Sequence, residues 1–229
     1  MKKSEKKALS MHPSQQIKFI EDYVRTELSG EASGHDWWHS HRVRNLALTI
    51  ARAEGAELYL VEITALMHDI GDPKFYEGDE TVAPRLVGLK LAEAGLAAKD
   101  KDKIMYIIAQ MSYSQSLAGE TDIEKSKEFM AVQDADRLDG IGAIGLARVF
   151  AYGGSKGRLI HDPNIKPKQN ITKEEYRVSK GTSINHLYEK MLRLKDLMNT
   201  ETGRRIAEER HLFIGQFLDR FYKEWDGQA

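Results

Sequence analysis

Apolar residues recur at three- and four-residue spacing along most of the chain, a period that predicts helices rather than strands. From Pro13 onward, Ile17, Phe19, Ile20, Tyr23, Val24 and Leu28 follow it until Gly30 and the run EASG break the pattern. Asp36 then stands where a helix N-cap belongs, and Val43, Leu46, Ala47 and Ile50 mark one face of a second helix that Gly55 ends. A third helix is expected from about Leu58 to Asp69, with Leu60, Ile63, Thr64, Leu66 and Met67 mostly inward and Gly71 and Pro73 as stops. Further helical segments are expected near 81–96, 100–113 and 124–138.

No alternating strand and no hairpin signal stands out, so the expected fold class is all-α, with helices packed around a central pocket. Residues 152–182 are rich in Gly, Pro, Lys and Asn, and a loop of that length inside a compact domain is usually disordered or functional. Two strongly helical stretches follow, roughly 183–199 and 201–225. The expected organisation is one domain over 12–229: a core at about 12–150, the loop at about 152–182 and C-terminal helices at about 183–225, after a solvated lead-in at 1–11.

Charge narrows the partners. Lys and Arg total 34 against 35 Asp and Glu, a formal net charge of −1, which offers no bulk attraction to a nucleic-acid polymer or an anionic membrane. A bound anion must instead meet a local cluster of positive groups. The absence of cysteine excludes disulfides, zinc–thiolate and iron–sulfur sites, so any metal must sit among His, Asp and Glu. The basic start MKKSEKKALSM lacks the apolar stretch of a secretory signal, and no run approaches the roughly 18 apolar residues of a membrane span. A soluble, cytoplasmic protein is expected.

Three places could carry chemistry. His68 and Asp69 close the apolar segment ITALMHD, and a buried Asp there invites a metal or a hydrogen-bonding partner. Adjacent residues on a regular helix point about 100° apart, but a helix end can turn both toward one point. A histidine satisfied at a helix C-terminus, with the Asp exposed, is the plain alternative. His39, Arg42, Val43 and Leu46 share a helix face, which puts a histidine and an arginine on an inward stripe. Asp136, in DADRLD, lies beside core positions in a direction the pattern leaves open, and a solvated acidic face competes there. Gly140, Gly142 and Gly145 form G-x-G-x-x-G, but a helical segment precedes them, so close helix packing is expected rather than a dinucleotide loop.

The order H…HD…D in GHDWWHSHRV (34–43), ITALMHDIGD (63–72) and VQDADRLDGIGAIGLARV (132–149) resembles the HD superfamily of metal-dependent phosphohydrolases. The likeness extends through a helix around 104–113 and the C-terminal stretch, over nearly the whole chain. It is closest to small bacterial HD proteins that include a manganese-dependent nucleotide pyrophosphatase. The resemblance implies an HD-domain helical bundle around one metal pocket, with His39, His68, Asp69 and Asp136 as ligands. Four ligands leave octahedral positions open to water or phosphate oxygens, and mixed His and carboxylate donors suit Mn²⁺ first, with Mg²⁺, Fe²⁺ or Ni²⁺ as alternatives. Two-metal relatives supply extra histidines after the HD pair. None occurs here between His68 and His161, which argues for one ion and against cyclic-dinucleotide phosphodiesterases and di-iron oxygenases.

The resemblance further implies phosphoester or phosphoanhydride hydrolysis, with Asp69 and Asp72 as the catalytic carboxylates. Asp72 either moves a proton for the reaction or caps the turn before Pro73. Arg42 and Lys74 are candidate phosphate contacts, and His186 and Lys190, at i and i+4 on a C-terminal helix, could reach the pocket. Arg148, Lys156 and Arg158 flank the Gly-rich loop and are expected at the surface. His35 and Asp36 read as a helix-entry turn, and Trp37 and Trp38 as core packing. The expected partner is a small phosphorylated substrate, a nucleotide, and the expected activity a nucleoside triphosphate pyrophosphatase. A 5′-nucleotidase is the near alternative, and a non-catalytic nucleotide sensor the alternative from another class. The C-terminal helices could pack within the monomer or across a homodimer.

Overall fold

The computed structural model describes residues 11–30, 35–73, 76–111, 124–168 and 181–228. Among them the chain is all-α, without strands. In chain order the helices are α1 (Pro13–Glu27), α2 (Trp37–Glu54), α3 (Leu58–Met67), α4 (Val82–Glu93), α5 (Ala98–Gln110), α6 (Lys127–Asp139), α7 (Gly142–Ser155), α8 (Ser183–Glu189) and α9 (Glu201–Trp225). A 3₁₀ helix, Met191–Leu197, joins α8 to α9. No helix among the described residues is long and apolar enough to cross a membrane.

Helix α3 organises the packing. Val61 and Ala65 join a cluster with α2, α6, α8 and α9, while Leu60, Ile63, Leu66 and Met67 join a second cluster with α1, α4 and α5. A helix pressed from both sides must be apolar around its circumference, which is why ITALM shows little polar face. Helix α2 packs most closely on α6 and α3. Its ends are built as expected: Asp36 accepts a 2.9 Å hydrogen bond from the His39 amide, and Gly55 takes the left-handed conformation at φ 70°.

After Met67 the backbone winds tightly. The Ile70 amide donates to the Met67 carbonyl at 3.0 Å and that of Asp72 to the Asp69 carbonyl at 3.3 Å. Gly71 completes the turn at φ 74°, and a Cβ there would lie 2.6 Å from Ala83 Cα at the start of α4. The helix thus ends two residues before Asp69, the expected limit, and it is this winding that aims His68 and Asp69 inward.

The second half differs from expectation in two places. Helix α7 runs on to Ser155, into the expected loop. The stretch 183–199 is not one helix: the backbone breaks at Lys190 (φ −132°, ψ −59°), and a 3₁₀ segment follows. Beside the break, the buried Glu189 accepts a hydrogen bond from the Lys168 amide at 2.9 Å. Helix α9 matches the expected 201–225. Gly140, Gly142 and Gly145 join α6 to α7, and a Cβ on Gly145 would sit 2.4 Å from the Gly140 carbonyl, so these glycines serve close packing. Trp37 is buried, but Trp38 is 57% exposed and takes no part in the core.

Candidate metal centre

Helix α2, the α3 end and helix α6 bring His39, His68, Asp69 and Asp136 together. His39 Nε2 lies 3.1 Å from His68 Nε2, 3.2 Å from Asp69 Oδ2 and 3.5 Å from Asp136 Oδ1. His68 Nε2 lies 3.5 Å from Asp69 Oδ1 and 3.8 Å from Asp136 Oδ1. An octahedral ion with ligands near 2.1 Å separates adjacent donors by about 3 Å, so these spacings approach the edges of one coordination shell.

Both imidazoles are oriented by a hydrogen bond at Nδ1. The His68 Nδ1–H donates to the Ala65 carbonyl at 2.8 Å, the free helix-end acceptor one turn back. His39 is fully buried, and its Nδ1–H donates to Asp139 Oδ2 at 2.7 Å. Each Nε2 therefore faces the cluster, as a metal-ligating histidine requires.

Asp139 is itself tightly held. Arg42 grips it with two hydrogen bonds, Nε to Oδ1 at 2.7 Å and Nη2 to Oδ2 at 3.0 Å, and Arg148 Nη1 donates to Oδ2 at 2.8 Å. Sequence reasoning gave Asp139 no role, although it follows Asp136 by one helical turn and shares its face. Arg148, expected at the surface, is drawn in by this carboxylate. His35 also does more than enter a helix: its Nδ1 lies 2.8 Å from Asp69 Oδ2, beside His39, while Asp36 keeps the expected capping role.

The charge balance calls for a cation. Burial would push the His39 imidazole down, yet its hydrogen bonds to Asp136, Asp139 and Asp69 outweigh this and hold it at about 10. Burial likewise pushes Asp69 and Asp136 up, but His68, His39 and, for Asp69, His35 hold both carboxyls below the usual range. Without a metal, a proton on His39 supplies the positive charge that these carboxylates demand. His35, His39 and Asp69 form one trio of nearby donors, and His39, His68 and Asp136 another, each within 4.8 Å. This donor set fits a divalent ion.

Asp72 is half-buried on the turn after Asp69. Lys74 lies outside the described residues. His186 on α8 is pushed down to about 3 by burial and by the neighbouring charges of Lys190 and Arg158, so those three gather near one another.

The HD domain model matches residues 37–141. Bacillus subtilis YpgQ is 37% identical over 226 residues, covering 95% of this chain and 97% of its own. The chain belongs to the HD-domain family. A solved structure from Lactobacillus plantarum, 39% identical, aligns with a TM-score of 0.82 over 93% of this chain and 97% of that one. An HD-superfamily hydrolase from Bacillus thuringiensis, also 39% identical, gives 0.73 over 95% and 100%. YpgQ has been solved in complex with ADP; that structure, 34% identical, aligns at 0.72 over 93% and 100%. The expected HD helical fold is therefore the observed one.

Proposed function

We propose that the protein is a divalent-metal-dependent phosphohydrolase of small nucleotides, and within that class a nucleoside triphosphate pyrophosphatase. The observation that carries the metal reading is the convergence of His39, His68, Asp69 and Asp136 at near-octahedral spacing. The ADP complex of YpgQ supports a nucleotide as substrate. These four residues would hold one ion, Mn²⁺ first. Such an ion polarises a phosphoryl oxygen and lowers the pKa of a water.

The chain's own groups supply the rest. Asp69 holds its charge next to the ligand histidines, and Asp72, on the adjoining turn, is the candidate for moving a proton to or from the reacting oxygens. Arg42 keeps its Nη1 without a hydrogen bond among the described residues and is about one-third exposed, so it can meet a phosphate while gripping Asp139. Lys74, His186 and Lys190 are further candidates for phosphate contact.

A nucleotide panel with Mn²⁺, scored for released phosphate and pyrophosphate, tests this reading. Pyrophosphate from triphosphates is the expected result. Phosphate from monophosphates alone would replace the pyrophosphatase by a 5′-nucleotidase, and no turnover at full metal occupancy would leave a sensor.

Loading should also release a proton. His39 is protonated below about 10 in the metal-free protein and must be neutral to ligate. Titration of Mn²⁺ in buffers of differing ionisation enthalpy should show about one proton released per ion near neutral pH, with affinity falling as pH falls. Proton-independent binding would contradict the role given to His39.

A further inference from the structure

We propose that Asp139 is the positioning residue of the metal centre and that Arg42 and Arg148 act on the metal through it. The inference deepens the metal-binding reading above and rests on it. A histidine can present either ring nitrogen, and the partner of the second nitrogen decides which one. Among the described residues His39 has one hydrogen-bonding partner for Nδ1, the carboxylate of Asp139 at 2.7 Å, and its Nε2 faces His68, Asp69 and Asp136.

Asp139 can hold that ring only if it is held itself. Its own helix does not do so, because Arg42 comes from α2 and Arg148 from α7. The two guanidiniums fix the carboxylate plane, and the bidentate contact of Arg42 leaves Oδ2 shared between Nη2, Arg148 and His39. Hydrogen bonds from His39 and Arg42, and the charge of Arg148, keep Asp139 ionised against its burial. A carboxylate offers about four acceptor positions, enough for these donors; an amide at 139 offers two and adds two donors. Asparagine would therefore meet His39 or the arginines with a donor.

The experiment is Mn²⁺ titration of metal-free protein by calorimetry, for the wild type and for Asp139→Asn, Asp139→Glu, Arg148→Gln and Asp136→Asn. Asp139→Asn should weaken Mn²⁺ by about 10- to 100-fold, the usual cost of losing a partner behind a ligand, with partial recovery in Asp139→Glu and a smaller loss in Arg148→Gln. Wild-type affinity in Asp139→Asn, with Mn²⁺ lost in Asp136→Asn, would overturn the inference and leave the ligand set standing. Wild-type affinity in Asp136→Asn would overturn the ligand set itself.

A second measurement needs no variant. In ¹⁵N-histidine-labelled wild type loaded with diamagnetic Zn²⁺, His39 should keep a strongly hydrogen-bonded proton on Nδ1 and show its metal shift on Nε2. A metal shift on Nδ1, or loss of that downfield proton, would overturn the proposal even if every Asp139 variant failed to fold.

Discussion

Asp69→Ala should remove catalysis by about 10³-fold or more and weaken Mn²⁺ by more than about 100-fold, while the metal-free protein keeps its fold. The side chain is almost buried, but its partners are His35, His39 and His68 around the cluster rather than the apolar core. Those histidines hold the Asp69 carboxyl below its usual range, so its contacts stabilise the metal-free native state at neutral pH, and Asp69→Ala should lower thermal stability without metal as well. The informative quantity is the stabilisation that metal confers. A ligand at 100 times its Kd adds about 2.7 kcal/mol to the native state, a gain that wild type should show with Mn²⁺ and Asp69→Ala should not. Thermal unfolding with and without Mn²⁺ measures it. Equal metal-induced shifts in the two proteins would remove Asp69 from the ligand set.

Asp134→Ala should act mainly on stability, lowering the melting temperature without touching the chemistry directly. Asp134 is fully buried, and its carboxylate accepts from the amides of Asn199 and Thr200, the Asn199 side-chain amide and the Thr200 hydroxyl, all between 2.7 and 3.1 Å. Thr200 is the N-cap of α9, so this one side chain seats the last long helix against α6. The fit is close, since a Cβ on Gly203 would lie 2.4 Å from Asp134 Oδ2. Alanine leaves four donors without their acceptor at a helix N-terminus, a loss of about 3–4 kcal/mol. In a chain of this size that corresponds to about 10 °C in Tm. A drop of only one or two degrees would mean that α9 is held by its apolar face alone.

Three aspartates in DADRLD thus do three things, and the difference between them explains what could be read in advance. On α6, Asp134 meets the start of α9, while Asp136 and Asp139, one turn apart on one face, meet the two ring nitrogens of His39, and Asp139 also meets Arg42 and Arg148. Resemblance to the HD family could mark Asp136, because its place in the motif is fixed. It could not mark Asp139, whose partners come from α2 and α7, 97 and 9 residues away. The same limit hid the contact of His35 with Asp69, across 34 residues.

By itself the sequence determined the helical class, the caps of α2, the length of α9 and the inward face that carries His39. Each follows from local period, capping chemistry and glycine, which act within a few residues. Only the tertiary structure decided that α3 is buried on both sides, that the chain breaks at Lys190, and that a tight turn aims His68 and Asp69 at His39. Those outcomes depend on partners distant in sequence, because a buried polar group takes its direction from whatever donor or acceptor the packing brings to it.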